Sequence, residues 1–389
     1  MAKRSEKLSV AFLFDDTLDS TDGVAQYVKI LGSWLSEQGH QVTYLVGQTA
    51  SAEWQGGRII SLSRNIKVVF NGNKLSMPLF PKLRLIRTTL ANGDFDVIHV
   101  MLPCSPLMAG RVVAGASSRT AIVGTFHIFP AGWLSKAGSR LLRVALFNTL
   151  RRFDSIVSVS PPAQRFAAQA YGIRSDILPN PVKLETFSKT SATLKERKIV
   201  FLGRLVPRKG CLQLIKAFEL LSKQLDDVSL TIAGAGPQED SLKKLVAAKG
   251  LTDKVKFLGF IDEADKPGLL ASATVACFPS LYGESFGIVL IEAMAAGAQA
   301  VLGGDNPGYS SVLNDKPVLL IDPENTEGFA KRLRLLIQDE SLRKELSHWQ
   351  SQAVRQYDIE NIGPKILRLY RDSIDKAAKK IHNSNHGQP

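Results

Sequence analysis

"GESFGIVLIEAMAAG", residues 283–297, decides how the chain is read. Glu284 and Glu292 lie eight positions apart in an otherwise apolar run that begins and ends with glycine. On one continuous helix that spacing would set them ~12 Å apart along the axis and ~80° apart around it. A retaining hydrolase needs carboxyls ~5–5.5 Å apart and an inverting one ~6.5–9.5 Å, which argues against a nucleophile/acid dyad. The spacing suits two contacts along one elongated ligand, with Glu284 in the loop before a helix and Glu292 two turns in. Ser285, Phe286, Gly287 and Ile288 would then offer free amides to a phosphate at the helix start, with a sugar and a ribose satisfying the two carboxylates. Plain structural readings stand beside this one. Glu284 can be an acid favouring the helix dipole, and Glu292, if buried, needs some hydrogen-bond donor.

Working outward, "FLGRLVPRKG" (201–210) follows an apolar run and opens a helical one. Arg204, Arg208 and Lys209 cluster there, where a helix N-terminus already favours anions; three solvated surface cations are the alternative. "AGAGPQED" (233–240) places Gly234 in a strand-to-helix turn, which serves close approach to a ligand or tight packing equally well. Short β-rich runs alternate with helical ones throughout. Strands are expected over 10–14, 42–46, 97–100, 121–125 and 155–159, then over 199–203, 228–234, 255–258 and 275–279. Helices are expected over 23–38, 140–153, 211–223 and 238–249. This βαβ rhythm predicts α/β architecture with doubly wound parallel sheets.

The polar stretch "NPVKLETFSKTSATLKERK" (180–198) reads as a linker. It separates a domain at 1–185 from one at 195–360, and a basic helical tail at 361–380 is expected to pack back on the first. Two such domains facing across a cleft would hold ligands at the carboxyl ends of their strands.

The 389 residues are too many for one ordinary domain, and 44% are hydrophobic, enough for sizeable cores. Cys104, Cys211 and Cys277 stand apart without C-x-x-C spacing, which argues for a reducing compartment and against a zinc site. The opening "MAKRSEKLSVAFLFDD" is read as a strand rather than a leader, because its apolar run is short and meets Asp15 and Asp16. No stretch approaches ~20 uncharged apolar residues, so a cytoplasmic protein is expected.

The net charge of +13 is uneven: residues 1–190 carry 22 Lys/Arg against 12 Asp/Glu. Such a bias points to an anionic surface or ligand. The stretch "KLSMPLFPKLRLIRTTL" (74–90) interleaves Lys82, Arg84 and Arg87 with apolar residues, and 133–153 repeats the theme with Arg140 and Arg143. Both read as interfacial segments, the second equally as a core helix with a solvated basic face. The cations sit among aliphatics rather than stacking aromatics, which argues against nucleic acid.

"GESFGIVLIEAMAAG", with "FLGRLVPRKG", "AGAGP" and "VKFLGFIDEADK" in order, resembles the E-x7-E signature of family 4 retaining glycosyltransferases of GT-B fold, and within them the phosphatidylinositol mannosyltransferases. The resemblance implies that Arg204 and Lys209 hold the nucleotide diphosphate, Glu284 the donor sugar and Glu292 the ribose, with Gly287 and Ile288 lining the site. Ile261, Glu263 and Lys266 match positions that contact guanine. Gly23, in "STDGVAQYV", matches the second glycine of a phosphate-approaching G-G-V loop whose first glycine is Asp22 here. His127 matches a histidine where donor sugar meets acceptor.

The implied activity is transfer of a hexose, mannose from GDP-mannose, to a membrane lipid such as phosphatidylinositol, at the cytoplasmic face and without a required metal. The triplet Asp94-Phe95-Asp96 is read as a solvated turn. A UDP-hexose-dependent diacylglycerol glycosyltransferase and a catalytically silent sugar-nucleotide-binding protein are the alternatives.

Overall fold

The structure is a computed structural model describing residues 7–19, 22–70, 73–127, 144, 146–188 and 197–386, with side chains left out for 67–70, 73–76 and 384–386. The chain divides into two compact units, one made of Met1–Pro181 with Ile359–Pro389 and the other of Val182–Asp358.

The first unit is built on β1 (Ser9–Phe14), β2 (Gln41–Val46), β3 (Glu53–Trp54), β4 (Gly57–Ser61), β5 (Ser63–Phe70), β6 (Asn73–Pro81), β7 (Val97–Val100), β8 (Ala121–Phe126), β9 (Ser155–Ser158) and β10 (Asp176–Ile177). Eight of these form one sheet in the order β10-β9-β8-β7-β1-β2-β4-β3, parallel except where β3 meets β4. All side chains of β7 and β8 are buried, as expected for strands covered on both faces. One face is covered by the helix Gly23–Glu37 and by the helix Ile359–His386. The latter places Ile359, Ile362, Ile366, Tyr370, Ile374 and Ala377 in the same core as Val10 and Phe12, at three- and four-residue spacing.

The second unit carries β11 (Arg197–Leu202), β12 (Val228–Ala233), β13 (Val255–Gly259), β14 (Val275–Phe278), β15 (Ala300–Gly304) and β16 (Leu320–Ile321). They form a parallel sheet in the order β13-β12-β11-β14-β15-β16. In each sheet the order reverses once, between β1 and β7 and between β11 and β14, and ligands of such sheets bind at the carboxyl ends beside that reversal.

Four readings change. The chain passes between the units inside 180–188, at Pro181 and Val182, but the stretch is not structureless: Val182 bridges Asp358, and Leu184–Ser188 is a short helix anchored by buried Phe187. Residues 189–196 lie outside the described residues. The stretch 74–90 is two elements rather than one: β6 pairs with β5 as an antiparallel hairpin and Pro81 closes it before the helix Leu83–Asn92 begins. Asp96 is also more than a solvated turn residue: its carboxylate accepts the Ser9 amide at 2.8 Å where β7 starts. Of the helix expected over 140–153, Val144 and Phe147–Leu150 are helical among the described residues, with Arg140 and Arg143 outside them.

Candidate functional site

At the reversal of the second sheet, the loop after β11 and the loop after β14 lie side by side, joined by Leu281 N–H donating to the Arg208 carbonyl at 2.8 Å. Gly210 makes this approach feasible. Its φ is +73°, and a Cβ there would sit 1.9 Å from the Pro279 carbonyl oxygen. The juxtaposition brings Arg208 Nη1 to 2.9 Å and Lys209 Nζ to 2.8 Å from the same oxygen, Oε1 of Glu284. The three side chains are only 13–18% exposed. Burial pushes the Glu284 carboxyl up, but the charges of Lys209 and Arg208 outweigh it and leave the group below its ordinary value. Burial pushes the Lys209 ammonium down; Glu284 opposes that and Arg208 reinforces it, leaving it below the usual range.

Arg204 is exposed on the same loop. Two cations share one carboxylate, so this corner carries net positive charge in a partly desolvated setting, and an anion can claim it. Behind it, Ser280 hydrogen-bonds Glu284 and lies 3.1 Å from the Tyr309 hydroxyl, while Asn306 donates to the Ser280 carbonyl at 2.9 Å.

The helix after β14 spans Ile288–Ala296 and starts at Gly287, whose φ is +122° and which brings no side-chain cap. Glu292 is therefore little more than one turn into the helix, not two, since the chain through Glu284–Gly287 is not helical. Its carboxylate is buried, and the required donor is Lys266, with Nζ 2.9 Å from Oε1. Nζ also lies 2.7 Å from Oε2 of Glu263, a half-exposed residue in the loop after β13. Burial opposes the Lys266 charge, but Glu292 and Glu263 outweigh it and hold the ammonium above its ordinary value. Ile261 is half-buried in the same loop. Phe286, expected to offer its amide, buries its ring edge-on to Tyr357 at 5.4 Å, which leaves its backbone to serve a ligand. Gly234 packs against protein: a Cβ there would lie 2.0 Å from the Gly203 carbonyl oxygen.

In the first unit, His127 follows β8 at the carboxyl edge of the sheet. It is buried, its ring stands edge-on to Tyr27 at 4.9 Å, and its Nε2 has no hydrogen-bond partner among the described residues. Burial lowers it to about 3, so the imidazole is neutral. Behind it, His99 is fully enclosed, with Nδ1 2.7 Å from the Tyr370 hydroxyl and Nε2 2.6 Å from Thr125 Oγ1. Burial, then the neighbouring His127, brings His99 to about 3 as well.

Gly23 opens the helix Gly23–Glu37, but the Asp22 carboxylate already accepts from Val24 N at 2.9 Å and Ala25 N at 3.0 Å. The amides expected to face a phosphate are thus capped from within. Sequence reasoning missed Asp15, which follows β1 and takes the Ala109 amide at 2.8 Å and the Ser105 hydroxyl. Arg84 and Arg87 are exposed on Leu83–Asn92, and Lys82 donates to the Ser61 carbonyl at 3.0 Å. Around them Leu79, Phe80, Leu83 and Leu85 are exposed. Among the described residues no group of three His, Cys, Asp or Glu is placed to hold a metal, and no helix is long and apolar enough to cross a membrane.

Two doubly wound parallel sheets, the second presenting a cationic corner at its point of reversal, define the GT-B class of glycosyltransferases. Residues 21–186 match Glycosyltransferase Family 4 and residues 182–353 match Glycosyl transferases group 1. The phosphatidyl-myo-inositol mannosyltransferase of Mycolicibacterium smegmatis is 30% identical over 380 residues, covering 95% of this chain and 94% of that protein. A GDP-mannose-dependent alpha-(1-6)-phosphatidylinositol monomannoside mannosyltransferase of Mycobacterium tuberculosis is 25% identical, covering 82% and 86%. The crystal structure of Anabaena HepE in complex with UDP superposes with a TM-score of 0.75 at 19% identity, covering 93% of this chain and 99% of that one. The chain belongs to glycosyltransferase family 4.

Proposed function

We propose that the chain transfers a hexose, mannose from GDP-mannose, to a membrane lipid acceptor such as phosphatidylinositol, retaining the anomeric configuration. The observation that carries this reading is the ionised Glu284 shared by Arg208 and Lys209 beside an uncapped helix start. A diphosphate can take over the cations there, while Glu284 turns to sugar hydroxyls. The names of the mannosyltransferases similar to this chain support the donor and the lipid.

In this reading the second unit serves the donor. Arg204, Arg208 and Lys209 take the diphosphate, Gly287 and Ile288 offer amides, Glu292 accepts from the ribose, and Glu263 accepts from guanine N1–H and N2–H. The first unit serves the acceptor through His127 and the membrane through Lys82, Arg84, Arg87 and the exposed Leu79, Phe80, Leu83 and Leu85. The enzyme works peripherally at the cytoplasmic leaflet.

The two glutamates have separate cation partners, so neither is placed as a paired nucleophile. The bond from the anomeric carbon to the phosphate oxygen breaks and the diphosphate departs as an ion pair; the acceptor hydroxyl bonds to that carbon from the same face and gives its proton to the leaving phosphate oxygen. Catalysis is chiefly electrostatic: the developing negative charge is received by fixed cations and the helix start, and no metal is required.

The test is transfer from GDP-mannose, UDP-glucose and UDP-galactose to vesicles of total lipid extract. Labelled mannose appearing in phosphatidylinositol is expected. Transfer only from a UDP-hexose to diacylglycerol, or nucleotide binding with no transfer from any donor, would overturn the reading.

A further inference from the structure

Lys266 occupies an unusual place on the carboxyl edge of the second sheet. It opens the short helix Lys266–Ala271, is itself buried, and touches acids from two different elements. Glu263 belongs to the loop after β13, an edge strand; Glu292 belongs to the helix after β14, on the other side of β11 and β12. The ammonium reaches an oxygen of each, Oε2 of Glu263 at 2.7 Å and Oε1 of Glu292 at 2.9 Å. A compact, three-donor point charge can bridge in this way, whereas the buried Glu292 without it would be left an unpaired charge.

We infer that Lys266 is a positioning residue that ties recognition of the base to recognition of the ribose. It does not read the base itself; it holds Glu263 and Glu292 in a fixed relation so that a nucleoside is accepted as one rigid piece. This rests on the proposed function, and it replaces the direct base contact that the resemblance implies for Lys266. The ligand class is a nucleoside diphosphate that presents N–H donors on its base edge and a vicinal diol on its ribose.

The consequence is coupling, read by equilibrium titration of the full chain with GDP, inosine diphosphate (which lacks the N2 amine) and 2′,3′-dideoxy-GDP. In the wild type each change is expected to weaken binding roughly 10-fold or more, because a carboxylate held in place by Lys266 loses its donor. In Lys266→Met both penalties should shrink together to about 3-fold or less, since neither carboxylate is held in place. Lys266→Arg should retain part of both.

Two further variants separate positioning from mere support and remain readable should Lys266→Met not fold. Glu292→Gln should shrink the ribose penalty, because a neutral amide oxygen accepts more weakly, yet keep the base penalty, because Lys266 still holds Glu263. Lys266→Met/Glu292→Leu, which leaves no unpaired charge in the buried pair, should lose both. A Lys266→Met protein, or that double variant, that binds GDP more weakly but keeps the wild-type base penalty would overturn the inference. Unchanged GDP binding in Lys266→Met would overturn it equally. A wild-type protein that binds no nucleoside diphosphate at all would instead refute the function on which it rests.

Discussion

Lys209 Nζ and Arg208 Nη1 converge on a single carboxylate oxygen of Glu284, at 2.8 Å and 2.9 Å. In the proposed function the negative partner serves the donor-sugar hydroxyls and the positive partners serve the departing phosphate. Glu284→Gln therefore acts in opposite directions on the two halves of the donor. GDP affinity should hold or rise, because two cations are released, while turnover should fall roughly 100-fold through loss of a charged hydrogen bond to the sugar. Isothermal titration with GDP alongside steady-state kinetics checks both halves.

Gly287 should tolerate no side chain. Its φ of +122° is a conformation that L-residues avoid, and a Cβ would come within 2.8 Å of the Tyr309 ring. Gly287→Ala should destabilise the protein by about 2 kcal/mol and lower donor affinity, as the helix start shifts. Urea unfolding with and without GDP measures both effects.

Acid should weaken the first unit before any carboxylate is involved. His99 and His127 are brought to about 3 by burial, against an ordinary value of 6.5. The unfolded chain takes up protons that the folded one refuses. Stability is therefore complete above pH 6.5 and declines as pH falls toward 3, by up to about 1.4 kcal/mol per pH unit for each histidine. Denaturant midpoints measured from pH 7.5 to 4.5 should show this slope. His99→Gln should flatten it, and transfer activity should show no inflection near 6.5 attributable to His127.

Tyr370 tests the tie between the C-terminal helix and the sheet. Its hydroxyl lies 2.7 Å from His99 Nδ1 in a fully buried setting. Tyr370→Phe leaves that nitrogen without this partner and should cost about 1–3 kcal/mol, with donor binding unchanged.

Charge reversal on the helix Leu83–Asn92 tests the membrane role. Arg84→Glu/Arg87→Glu should lower partitioning onto vesicles containing anionic lipid by roughly 100-fold or more at low salt, and the difference should shrink as salt is raised. Equal binding by variant and wild type in a vesicle co-sedimentation assay would remove these residues from any membrane surface.

How legible all this is from sequence depends on how far apart the cooperating residues lie. The strands that build the sheet centres, such as 10–14 of β1 and Val275–Phe278, show themselves as uninterrupted apolar runs because both their faces are covered. The hairpin at 63–81 does not, since a two-stranded ribbon alternates basic and apolar residues much as an interfacial segment does. Glu292's need for a donor follows from its apolar neighbours, but nothing local says that Lys266, 26 positions earlier, supplies it. The partnership of His99 with Tyr370, 271 residues apart, has no local signal at all. Arg208 stands beside Lys209 in the sequence, yet only the closeness of the β11 and β14 loops shows that both cations share Glu284. Asp22, conversely, is visible as a departure from a glycine loop, and its capping of Val24 and Ala25 is the ordinary behaviour of an acid before a helix.

The most direct measurement is a crystal structure of the protein with GDP-mannose bound. The diphosphate should lie within hydrogen-bond reach of Lys209 and of Arg204 or Arg208, Glu284 should contact the mannose hydroxyls, and Glu292 should accept from the ribose. A donor bound with Lys209 still paired to Glu284, and with Glu292 clear of the ribose, would contradict the account.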